Sequence, residues 1–280
     1  MVFLPFPTQF ASIDGLKTRY CIVGEGKPLV LVHGLAAMLE YWFANIPELS
    51  KHYQVIAFDL PGFGQSDSPN EYTIDFYTDF INHLLDFLDI KSTYLVGHSL
   101  GGALALRYAM LSTERVKKLI LLNNVGFATQ LGWQFRLLTL PGIDKLVRCN
   151  FTQEQYGVML RSHAFDPNSI PDAFIEATFP ITSNQTNLNS FLRVLKENAW
   201  IGGIKERSLH EIRNHFNLVQ SIPTQIYWGE EDSVLPYKPH VKAAKKWMPW
   251  APIISLKQCG HLSQIEHSQL INDSIIEFLG

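Results

Sequence analysis

The sequence predicts an α/β protein built on a mostly parallel β-sheet with helices on both faces. Short, near-continuous apolar runs such as Pro28-Leu-Val-Leu-Val32 and Tyr53-Gln-Val-Ile-Ala-Phe58 alternate along the chain with stretches of helical periodicity. A strand that is apolar on both sides has no solvent face, so the intervening helices must cover it. The alternation breaks once, after Asn123-Asn124, and resumes at Pro223, which marks an insertion.

Taken in order, two strand-like segments at 8–13 and 18–23 open the chain, followed by a buried strand at 28–32 and a helix at 39–50. Strands at 53–58, 93–96 and 116–122 are separated by helices at 73–88 and 100–111. The insertion, 126–214, holds helix-like and aromatic pieces around Trp133, Phe135, Leu137 and Leu138 and at 174–179, with a polar loop from Thr182 to Asn187. It reads as a helical cap. A strand at 223–228, a helix at 238–248, a strand at 251–256 and a helix at 262–279 complete a core formed by 1–125 and 215–280.

A chain of 280 residues can bury one large core with such an insertion. Its net charge of -3 offers no footprint for a polyanion, and the densest basic group, Lys242, Lys245 and Lys246, has the spacing of a solvated helix face. Nucleic acid is thereby an unsuitable partner. Cys21, Cys149 and Cys259 are an odd number without metal-like spacing, which fits a reducing, cytoplasmic setting. The N-terminal segment lacks a basic region and is interrupted by Pro5 and Pro7, unlike a signal peptide. No uninterrupted apolar run approaches the roughly 18 residues of a membrane span.

The chemistry is concentrated in Val96-Gly-His-Ser-Leu-Gly-Gly102, at the junction of the fifth strand and the helix that follows. An abrupt strand-to-helix turn forces Ser99 into a strained backbone conformation, and Gly97 and Gly101 remove side chains that would clash. The hydroxyl is thrust out above the sheet. It also lies at a helix N-terminus, where free N–H groups favour developing negative charge.

A serine hydroxyl attacks only when a base takes its proton, and the base needs an acid to orient it. Among ten histidines, His261 stands in the loop after the last strand, where it can face Ser99. His98, beside the serine, is expected to point away; His163, His210, His215 and His267 are expected to be structural or at the surface. For the acid, the loop after the sixth strand offers only Asn123 and Asn124, whereas Gly229-Glu-Glu-Asp232 follows the next strand. Asp232 is the choice, with Glu230 and Glu231 as alternatives. The oxyanion donors are expected to be the backbone N–H groups of Leu100 and of Leu35, the latter reached through Gly34; His33 is expected to brace that loop.

These residues give the chain a resemblance to capped α/β-hydrolase fold proteins, carried in order by "LVLVHG", "VIAFDLPGFGQSD", "YLVGHSLGG", "IYWGEEDSVLP" and "KQCGHLSQIEH". The resemblance implies an eight-stranded, mostly parallel sheet, a lid after the sixth strand, a triad of Ser99, Asp232 and His261, and no metal or organic cofactor. The similar loop Asp59 to Gly64 is expected to shape a turn without chemistry. Serine at 99, where haloalkane dehalogenases and epoxide hydrolases carry aspartate, argues against both activities. The C-terminal stretch is similar to the signature of carbon–carbon bond hydrolases of aromatic ring-fission products. Two features depart from it. Leu262 stands where those enzymes usually have tryptophan, and 171–179, where their substrate-binding arginine is sought, has none, which leaves Arg148, Arg161 and Arg193 as substitutes. The expected function is a serine carboxylesterase acting on a small to medium, largely apolar ester. Carbon–carbon bond hydrolysis of ring-fission dienoates, lipase action and a weakly catalytic ligand receptor are the alternatives.

Overall fold

The computed structural model describes residues 3–143 and 152–280. Eight strands form one sheet: β1 (Gln9–Ile13), β2 (Leu16–Val23), β3 (Pro28–Val32), β4 (Gln54–Phe58), β5 (Thr93–His98), β6 (Val116–Leu122), β7 (Thr224–Gly229) and β8 (Ile253–Leu256). Their spatial order is β1-β2-β4-β3-β5-β6-β7-β8. Only the β1/β2 and β2/β4 pairs are antiparallel; every pairing from β4 through β8 is parallel. All strands of the parallel part therefore end at the same edge.

The near-continuous apolar strands are buried on both faces, as their composition requires. In β3, Val30 and Val32 face one core with Phe80, Leu104 and Trp228, while Leu29 and Leu31 face another with Trp42, Ile271 and Leu279. The helices supplying the cover include α1 (Ile46–Leu49), α2 (Ile74–Phe87) and α3 (Leu100–Leu111). Residues Gly101 to Met110 of α3 are all buried, because that helix lies between the sheet and its neighbours.

Two helices differ from the sequence expectation. The stretch 39–50 is a single-turn 3-10 helix, Leu39–Trp42, followed by the separate α1, in which Pro47 occupies the first turn. Proline lacks an N–H and fits only the start of a helix, so a second helix begins there. The C-terminal stretch likewise divides at His267, whose φ of -120° and ψ of 38° interrupt the helical path.

Between β6 and β7 lies a helical insertion: α4 (Trp133–Leu137), α5 (Gln153–Ser162), α6 (Asp172–Thr182), α7 (Gln185–Asn198), a small hairpin (Ala199–Trp200 and Gly203–Ile204) and α8 (Glu206–Arg213). Tyr156, Leu160 and Phe174 of the insertion pack against Met38, Tyr41 and Leu262 of the core. α9 (Tyr237–Trp247), α10 (Ser263–Glu266) and α11 (Ser268–Leu279) follow β7 and β8. Lys242, Lys245 and Lys246 form an exposed face of α9, as expected. Among the described residues, no helix is long and apolar enough to cross a membrane.

Candidate active site

The carboxyl ends of five adjacent strands converge on one place: the Gly34 loop follows β3, Ser99 follows β5, Asn123 follows β6, Asp232 follows β7 and His261 follows β8. This edge is where open parallel sheets leave a crevice for ligands.

Ser99 has φ 55° and ψ -120°, a combination that an L-residue holds only under constraint. The turn is tight enough that a Cβ on Gly97 would lie 2.4 Å from the Gly101 carbonyl oxygen. One on Gly101 would lie 2.2 Å from that of Val32. The Ser99 hydroxyl donates to His261 Nε2 at 3.0 Å, and His261 Nδ1 donates to Asp232 Oδ2 at 2.9 Å. An ionised Asp232 can only accept, which fixes the proton on Nδ1 and leaves Nε2 free to receive one from the serine.

Asp232 is itself held on every side. Its Oδ1 accepts from the backbone N–H groups of Val234 and Leu235, each at 2.8 Å, and its Oδ2 also accepts from Asn123 Nδ2 at 2.8 Å. Burial pushes the carboxyl upward, but the charge and hydrogen bond of His261, with the bonds from Asn123 and Leu235, outweigh it and hold Asp232 below the usual carboxylate range. The alternative acids do not reach the histidine. Glu231 is exposed and accepts from the Cys259 N–H at 2.9 Å, and Glu230 is exposed.

Leu35 and Leu100 both line the cavity beside Ser99. Neither of their backbone N–H groups has an acceptor among the described residues, the condition for donating to an oxyanion. A Cβ on Gly34 would lie 2.9 Å from Ser99 Cβ, so only glycine lets this loop approach. His33 braces it as expected: Nε2 accepts from the Leu60 N–H at 2.9 Å and Nδ1 donates to the Gly34 carbonyl at 2.8 Å.

The turn after β4 does more than shape itself. Asp59 Oδ1 accepts from the Leu39 N–H at 2.7 Å, its Oδ2 accepts from the Gln65 N–H at 2.8 Å, and the buried Arg19 pairs with both Asp59 and Glu40. It thereby anchors the loop that carries Gly34 and Leu35.

Several histidines sit differently from expectation. His98 does not point away from the site: its ring lies 4.8 Å from that of His261, and Nε2 donates to the His261 carbonyl at 2.8 Å. His163 is in the cavity lining, and its carbonyl accepts from the His261 N–H at 2.7 Å. Burial pushes the imidazoles of His98 and His163 down, to about 3 and about 4 respectively. His210 and His215 bond within the α8 region, and His267 Nε2 donates to the Gln258 carbonyl at 2.9 Å, outside the cavity.

Two contributors were not legible as such in the sequence. Asn123 carries no charge but serves Asp232, and its φ of 43° is one that asparagine tolerates well. Glu266 accepts from the N–H groups of Gly260, Leu262 and, across the boundary with the insertion, Phe165. The "GHLSQIE" spacing was the available signal, since it returns a carboxylate to the loop holding His261.

The cavity above Ser99 has a volume of about 240 Å³ and is walled mainly by leucine, valine and phenylalanine from the core and the insertion. No lysine or arginine lines it among the described residues. Arg161 pairs with Asp172 and Arg193 with Glu197; Arg148, like Cys149, lies outside the described residues.

A family model described as α/β hydrolase fold matches residues 27–268. Among curated proteins, the chain is 29% identical to a 2-hydroxy-6-oxo-6-(2'-aminophenyl)hexa-2,4-dienoic acid hydrolase of Metapseudomonas resinovorans, over 97% of this chain and 90% of that one. It is 30% identical to the dihydrolipoyllysine-residue acetyltransferase component of the acetoin cleaving system of Pseudomonas putida, over 97% of this chain and 69% of that one. Among solved structures, a meta-cleavage product hydrolase from Pseudomonas fluorescens IP01 superposes with a TM-score of 0.76 at 26% identity, covering 97% of both chains. Two of these three proteins are named as hydrolases of a dienoic acid or of a meta-cleavage product, and none is named as the carboxylesterase expected first. A chain with this sheet order and this strained serine turn, matching the family model over residues 27–268, belongs to the α/β hydrolase fold family.

Proposed function

We propose that this hydrolase cleaves an acyl bond of a small to medium, largely apolar and uncharged substrate, a carboxylic ester first of all, with Ser99 as nucleophile. The observation that carries this reading is the cavity itself: apolar, placed on Ser99, and without a lysine or arginine among its described lining residues. A carboxylate buried there would lose its hydration without gaining a cationic partner from the described lining, a cost on the order of several kcal/mol.

In this mechanism His261 takes the Ser99 proton through Nε2 while Asp232 stabilises the imidazolium. The serine oxygen attacks the carbonyl carbon, and the Leu35 and Leu100 N–H groups receive the oxyanion. His261 then protonates the departing alcohol, and a water deprotonated by the same ring releases the acid from Ser99. Mostly apolar walls leave orientation to shape and to few polar groups. The insertion acts as the cap that supplies half of those walls.

A second reading is favoured by likeness: the hydrolase from M. resinovorans is named for a dienoic acid, and the superposed P. fluorescens enzyme for a meta-cleavage product. The same triad serves carbon–carbon cleavage, with a ketone carbonyl in place of the ester. One experiment separates the two. Purified protein is offered 4-nitrophenyl esters of graded chain length and a ring-fission dienoate, with Ser99→Ala as control. Ester turnover that is lost in the variant supports the first reading; turnover of the dienoate alone replaces it with the second. Unchanged turnover in Ser99→Ala removes both.

A further inference from the structure

We propose that His163, from the insertion, is a specificity-determining residue that reads a single uncharged hydrogen-bonding group, such as a ketone or hydroxyl, on an otherwise apolar substrate. The inference rests on the proposed function only for the location of the substrate.

His163 follows α5 and is 6% exposed. Its ring stacks on Phe135, with centroids 5.5 Å apart and planes 28° from parallel, and it forms part of the cavity wall. Among the described residues neither ring nitrogen has a hydrogen-bond partner; Nε2 has no accessible surface, so Nδ1 is the nitrogen that a ligand in the cavity can meet. A buried polar atom left unsatisfied is costly, and phenylalanine would keep the stack without that cost. An imidazole rather than a phenyl ring at this place is understandable if its accessible nitrogen, Nδ1, meets a polar group of the ligand.

The backbone around the ring is fixed. The His163 carbonyl accepts from the His261 N–H at 2.7 Å, the Ser162 carbonyl accepts from Ser233 Oγ at 3.1 Å, and the Phe165 N–H donates to Glu266 at 2.6 Å. A Cβ on Gly260 would lie 2.3 Å from the His163 carbonyl oxygen, so the two segments are in close contact. The ring is therefore registered against the loop bearing the catalytic base. Being buried, it stays neutral at ordinary pH, and Nδ1 offers a ligand one donor or one acceptor according to the tautomer. Such a group distinguishes a carbonyl or hydroxyl from a methylene and has no charge to give a carboxylate. Sites that hydrogen-bond a substrate group discriminate well against analogues lacking it.

The test measures binding without turnover, in Ser99→Ala protein, so that it stands even if no ester is hydrolysed. The probes are phenyl hexanoate and its analogues in which each chain methylene in turn is replaced by a carbonyl, titrated by calorimetry. At least one keto analogue is expected to bind about fivefold or more tightly than the parent, a preference that His163→Phe abolishes and His163→Gln partly restores. If every keto analogue binds no better than the parent, or if the preference survives His163→Phe, the proposal is overturned. An equal loss for parent and keto analogues also overturns it, because a purely structural residue would give that result. Should His163→Phe fail to fold, the same ratio is read in His163→Leu and His163→Gln. Loss of ester turnover in the wild-type protein, by contrast, counts only against the proposed function.

Discussion

Asn123 and His261 share one oxygen: the amide of Asn123 and the imidazole Nδ1 both donate to Asp232 Oδ2, at 2.8 and 2.9 Å. Asn123 thus holds the carboxylate in the position from which it binds His261, the base of the proposed mechanism. Asn123→Ala is expected to lower kcat about tenfold on any turned-over substrate with little change in KM, since one hydrogen bond to a charged group contributes about 1.5–3 kcal/mol. Steady-state kinetics of the variant check this, and a change confined to KM would contradict it.

Asp232→Asn is expected to reduce kcat by about 10⁴-fold, because an amide cannot hold the proton on Nδ1 or balance the imidazolium. Adding Asp232→Asn to Ser99→Ala should cost little beyond Ser99→Ala alone, since the residues act as a unit. A double variant whose losses multiply would show that Asp232 works independently of Ser99.

Glu266 ties the His261 loop to the insertion through the Gly260, Leu262 and Phe165 N–H groups. Glu266→Ala leaves these donors without their acceptor and is expected to lower stability by about 1–3 kcal/mol and to reduce kcat as His261 loses its register. Urea denaturation and kinetics together check both. Glu266→Gln, which retains a single acceptor oxygen, should lie between the variant and wild type.

Stability is expected to fall as the medium becomes acidic. Burial holds His33, His163 and His240 down at about 4 and His98 at about 3. The unfolded chain binds these protons near pH 6.5 and the native chain refuses them, so the contribution is complete above that value. It is lost as pH falls toward 4, at up to about 1.4 kcal/mol per pH unit for each ring. The carboxyls of Glu40, Asp59 and Glu266, which burial holds above their usual range, act in the opposite sense at the low end of this window. Urea midpoints between pH 7.5 and 5.5, above the range in which those carboxyls act, measure the slope; a flat profile there would mean that the rings are accessible to protons in the native state.

The described lining of the cavity holds no lysine or arginine, which makes a further prediction about substrate charge. For an acyl substrate and its analogue ending in a carboxylate, kcat/KM should favour the neutral member by at least about tenfold. Competition between the two members at equal concentration reads the ratio directly. Preference for the charged member would indicate a cation from outside the described lining.

The strand and helix alternation, the single insertion and the strained serine turn can be read from the chain alone. Each is written locally: two-sided apolar runs require a covered sheet, and glycines around Ser99 are dictated by backbone clashes a few residues away. Pro47 starts a separate helix for an equally local reason that periodicity alone did not weigh. What surrounds Ser99, Asp232 and His261 is set by packing over long range. That Asn123 serves Asp232, that His98 lies against His261 and that His163 reaches the cavity from the insertion all depend on segments separated by more than 95 residues. Such contacts follow from the packing of strand ends and insertion helices, for which local apolar patterning sets no partner.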